Sequence, residues 1–97
     1  MSMQIKPGVL LREKHRVQIT VERYRNNTTV QNNGNCCIVF YNQGENTAWL
    51  FGSIKVLPGQ SHEFNFERED YIDTPIKITF DADGSNKDMA VTKIYKD

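Results

Sequence analysis

The segment from Ile38 to Phe66, IVFYNQGENTAWLFGSIKVLPGQSHEFNF, constrains this chain more than any other part. Apolar and β-branched residues crowd three short runs. Two polar clusters separate them, Asn42-Gln43-Gly44-Glu45-Asn46 and Leu57-Pro58-Gly59-Gln60-Ser61. Gly, Pro and Asn supply the backbone angles that bends require, so the segment reads strand, turn, strand, turn, strand. A chain punctuated at this spacing folds as stacked antiparallel sheets.

The flanking sequence continues the pattern. Val17-Gln18-Ile19-Thr20-Val21 alternates apolar with polar and reads as a half-buried strand. Thr28 to Gln31 is a short strand, and the Asn-Gly pair in Asn32-Asn33-Gly34-Asn35 predicts a tight hairpin after it. Cys36 to Tyr41 is apolar throughout, which predicts a central strand covered on both faces. In Thr47 to Phe51, Trp49 and Phe51 share one face and Ala48 and Leu50 the other; Gly52-Ser53 loosens the chain before Ile54-Lys55-Val56-Leu57. His62, Phe64 and Phe66 share a face, and Ile76, Ile78 and Phe80 alternate with Lys77, Thr79 and Asp81. Met89 to Lys96 closes the chain. No stretch of a dozen residues holds a capped helical period. The expected fold is an all-β antiparallel β-sandwich of about 7–8 strands, immunoglobulin-like or a small jelly roll.

A chain of 97 residues makes one domain large enough for two packed sheets without staples. The expected division is an N-terminal arm over 1–12 and a single sandwich over 13–97. Twelve basic residues balance twelve acidic ones, leaving no global field for nucleic acid or anionic lipid, and near-zero net charge favours self-association. Cys36 and Cys37 are adjacent, closer than disulfide geometry tolerates, and read as reduced packing residues. No run approaches a membrane span, and Met1 to Leu11 lacks the pattern of an export signal. Synthesis and folding in a cytoplasm are expected.

Candidate chemistry is sparse. Asp81-Ala82-Asp83-Gly84-Ser85-Asn86-Lys87-Asp88 has carboxylates at the spacing a hard cation uses, making Asp81, Asp83 and Asp88 the one metal candidate. Position twelve of the calcium-loop pattern is Thr92 rather than an acid, so a hairpin turn is the competing expectation. His62 and Glu63 are neighbours on a strand and face opposite ways, which gives no dyad. No nucleophile-elbow or zinc spacing is present, so neither an enzyme nor a cofactor is expected. Tyr41 and Trp49 could stack on a sugar ring, although Trp49 is the large aromatic expected to fill the sandwich centre. Phe64 and Phe66 lie among Glu63, Glu67, Glu69 and Asp70, which would repel phosphate.

Ile5, Val9, Leu10 and Leu11 make the arm too apolar for a free tail, and Pro7-Gly8 does not suit a central strand. They are the expected interaction residues, lying either on their own sandwich or on a neighbour.

The run Val30-x-Asn32-x-Gly34, Tyr41-Asn42-x-Gly44 and Gly52-x-x-x-Val56-Leu57-Pro58-Gly59-Gln60-Ser61 resembles small immunoglobulin-like and jelly-roll modules. Short Asn-rich sandwiches of this style resemble accessory virion proteins of tailed bacteriophages, such as capsid decoration, tail or baseplate proteins. That resemblance implies a non-enzymatic module acting through protein–protein contacts, as a homo-oligomer or on a larger virion scaffold. The alternative expectation is a carbohydrate- or ligand-binding sandwich.

Overall fold

The structure, a computed structural model, describes residues 17–31, 35–65 and 74–96. Eight strands follow one another: β1 (Val17–Tyr24), β2 (Thr28–Val30), β3 (Cys37–Asn42), β4 (Ala48–Leu50), β5 (Ile54–Val56), β6 (Ser61–Asn65), β7 (Ile76–Phe80) and β8 (Met89–Lys96). They form two four-stranded sheets, one ordered β1-β8-β3-β6 and the other β2-β7-β4-β5. All pairings are antiparallel. The first strand pairs with the last, the second with the seventh, the third with the sixth and the fourth with the fifth. This nesting is one long antiparallel ribbon wrapped into two layers, a jelly roll. An immunoglobulin-like order is excluded, because there consecutive strands such as the first two lie side by side.

The winding explains one hairpin that local chemistry misassigns. β2 and β3 belong to different sheets and do not pair, so the hairpin expected after β2 is not formed; the Asn-Gly pair itself lies outside the described residues. The turn expected at Pro58-Gly59 is present, with Gln60 N–H donating to Leu57 C=O at 2.9 Å, and it carries the chain from β5 to β6 across the sandwich. The tight hairpin instead joins β4 to β5, where Phe51 and Gly52 both have positive φ (56° and 72°) and Ser53 N–H donates to Leu50 C=O at 3.0 Å. An aromatic residue is uncommon in the left-handed region. Here the Phe51 ring stands edge-on to Phe64 at 6.0 Å, and this contact offsets the backbone cost.

The core lies between the layers. Ile38, Phe40, Met89 and Val91 project from one sheet and Val30, Ala48, Leu50, Val56, Ile76, Ile78 and Phe80 from the other. Each large side chain so buried contributes about 1.5–3 kcal/mol of transfer free energy. Trp49 is not among them. It alternates out of the core between buried Ala48 and Leu50, correcting the expectation that it fills the centre. Phe66 and the apolar residues of the arm, Ile5, Val9, Leu10 and Leu11, lie outside the described residues, as does His15.

Candidate functional site

Two regions hold the residues singled out by sequence: the loop end of the sandwich and the outer faces of its sheets. At the loop end, the connection between β3 and β4 meets the one between β7 and β8. Asn42, fully buried, donates through Nδ2 to the carbonyls of Asn46 (2.8 Å) and Val56 (3.0 Å), and its Oδ1 accepts from Gly44 N–H (3.1 Å). Asn46 Nδ2 donates to the carbonyls of Asp81 (2.7 Å) and Gly84 (2.9 Å). A Cβ on Gly84 would stand 2.5 Å from the Glu45 carbonyl oxygen, so the two connections can interlock only where side chains are absent.

The three candidate metal-binding carboxylates are each committed to a different partner in this lock. Asp81 accepts from Trp49 Nε1 at 3.1 Å. Asp83 accepts from Thr47 N–H (2.9 Å) and Thr47 Oγ1 (2.6 Å), and these bonds hold its carboxyl below the usual range. Asp88 is buried and accepts from both Nε and Nη2 of Arg23 in a bidentate ion pair, which lowers its carboxyl and raises the guanidinium. Among the described residues no three metal-binding side chains converge on one point. The three carboxylates are therefore engaged within the loop end, while Asn46 Oδ1 is buried without a partner.

The sugar-stacking pair is divided by the fold. Trp49 lies on the outer face of β2-β7-β4-β5, with its indole N–H bound to Asp81 and Lys55 Nζ 5.8 Å over its ring. Tyr41 lies on the outer face of the other sheet, opposite Ala90 and Ser61. They cannot serve one ligand. His62 turns inward with its ring 4.8 Å from Phe64, while Glu63 faces out as expected.

The outer face of β1-β8-β3-β6 is the feature the sequence did not expose. β3 is central, but its burial alternates, with Ile38 and Phe40 fully buried and Cys37, Val39 and Tyr41 on the far side. The prediction of cover on both faces fails because among the described residues no layer lies over that side. β1 departs further. The half-buried strand expected there is not seen: every residue from Val17 to Arg23 is exposed, and Val17 (50% exposed), Ile19 (62%) and Val21 (62%) share the outer face. Register aligns them with Lys96, Ile94 and Thr92 of β8, and Ile94 with Cys37 of β3. Val17, Ile19, Val21, Ile94, Val39 and Tyr41 thus share one face across three strands, an apolar stripe crossed by Thr92 and bordered by Arg23 and Glu63.

On the inward side of β1, Glu22 pairs with the buried Lys93 (Nζ to Oε1 3.4 Å) and accepts from Tyr24 Oη at 2.8 Å. Burial and that hydrogen bond push the Tyr24 hydroxyl up to about 12. No family model matches the sequence, and no curated protein matches it.

Proposed function

We propose that this chain is a non-enzymatic assembly module that docks to protein through the outer face of β1-β8-β3-β6. The single observation carrying this reading is the apolar stripe: three aliphatic side chains at least half exposed, continuous with Val39 and Tyr41 (44% exposed). Contiguous apolar surface of this kind costs solubility and marks an interaction site. The opposite outer face carries Thr29, Lys77, Thr79, Lys55 and the covered Trp49, a solvated surface. The balanced charge adds no repulsion between copies. The jelly roll itself serves both capsid and lectin domains, so fold alone does not choose between them. The separation of Tyr41 from Trp49 weighs against a shared sugar platform. The resemblance to accessory virion proteins supplies the scaffold in this proposal, a phage particle.

A photo-crosslinking residue placed at position 39 or 41 of the purified protein should give intermolecular products at high concentration. The same group at 29 or 77 should give none. Equal products from both faces, or none from 39 and 41, would overturn the reading.

A further inference from the structure

The apolar stripe ends at an open strand edge, and the backbone shows what that edge accepts. Gln43 N–H donates to Asp88 C=O (2.9 Å) and Cys36 N–H to Ile94 C=O (2.8 Å). Backbone groups alternate sides along a strand, so the even-numbered residues of β8 aim theirs at β3. The odd-numbered Val91, Lys93 and Tyr95 aim at β1, opposite Glu22, Thr20 and Gln18. By the same alternation, the N–H and C=O groups of Ile19 and Val21 point away from β8. No described strand pairs with that side of β1.

Natural edges are blunted by Lys, Pro, bulges or short length. β1 runs eight residues in unbroken register with β8; its charges, Glu22 and Arg23, lie toward one end, and Val17 to Val21 contains no charge and no proline. An open, uncharged edge of this kind is a template for another strand.

We infer that β1 pairs antiparallel with β1 of a second copy about a two-fold axis, joining the two sheets into one continuous eight-stranded sheet. The inference rests on the assembly reading above and names its partner. β1 is self-complementary for this. With the axis at Ile19, Val17 of each copy opposes Val21 of the other, and the two Ile19 side chains meet. Gln18 opposes Thr20 on the reverse side, so from Val17 to Val21 every pair matches apolar with apolar or uncharged polar with uncharged polar. The two apolar stripes then run side by side on one face. A two-fold contact closes at the dimer, whereas a heterologous edge contact would propagate.

Sedimentation velocity over a concentration series tests this on the full chain. The wild type should dimerise. Ile19→Lys and Ile19→Glu should each weaken association by about 100-fold or more, because like charges face each other at the axis, and an equimolar mixture should restore a heterodimer. Ile19→Pro should give a folded monomer, because the lost N–H is the one aimed away from β8. Circular dichroism confirms the fold of each variant. A wild type that stays monomeric overturns the inference, and so does dimerisation that survives both charge variants. A dimer that survives the Ile19 variants while positions 39 and 41 still crosslink would show edge pairing wrong while outer-face docking stands.

Discussion

The two outer faces of this jelly roll are made by the same winding and differ in almost everything else. On β2-β7-β4-β5 the outward positions are Thr, Lys and a tryptophan capped by Asp81 and Lys55. On β1-β8-β3-β6 they include Val17, Ile19, Val21, Ile94, Val39 and Tyr41, with Arg23, Thr92 and the polar positions of β6 beside them. Folding requires only the inward alternation, which both sheets satisfy with the same kind of aliphatic core. The outward alternation is free to answer to solvent or to a partner. One face answers to solvent, and the other does not.

The contrast breaks most sharply along β3, where inward and outward residues alternate. Phe40→Ala should cost about 3–5 kcal/mol in chemical denaturation. Val39→Ser and Tyr41→Ser on the same strand should each cost less than about 1 kcal/mol. If the outward pair costs as much as Phe40, the stripe is core covered from within the chain, and the comparison collapses.

The loop end should rank next. Asn42→Ala leaves two carbonyls and the Gly44 N–H without their bonds in a buried position, and should cost about 2–3 kcal/mol by the same measurement. A cost near zero would mean that the lock between the loops is incidental.

Dye binding then sharpens the difference between faces without touching stability. The native protein should bind an apolar fluorophore such as ANS, and Val39→Lys with Tyr41→Lys should reduce that binding severalfold. Thr79→Lys on the opposite face should leave it unchanged.

The smallest effect is titration. Asp83 and Asp88 have folded carboxyls lowered by Thr47 and Arg23, so their contribution is complete above the unfolded carboxylate value of about 3.9. It is lost as pH falls through the folded values below that. Melting temperature should therefore drop below about pH 4, and the slope should flatten in Asp83→Asn. Tyr24 works in the opposite direction: its hydroxyl is raised to about 12 in the fold, so stability should fall as pH rises from about 10 toward 12. Tyr24→Phe should remove that loss.

Local periodicity and turn residues were enough to locate all eight strands, since a pleat forces alternation wherever one face is buried. The candidate carboxylates were also visible as a motif, but not their employment, because Thr47, Trp49 and Arg23 reach them from distant parts of the chain. Alternation has no sign. Val17, Ile19 and Val21 look the same whether they face a core or water, and an all-apolar strand such as Cys37–Tyr41 does not say whether a second layer covers it. Strand order supplied that sign. Wrapping β8 between β1 and β3 set the apolar outward residues of β1 and β3 to either side of Ile94, and put no described layer over them. Sequence alone determined which residues alternate. Only the tertiary winding decided which half of each alternation was left for something else to cover, because burial belongs to pairs of surfaces and never to a strand by itself.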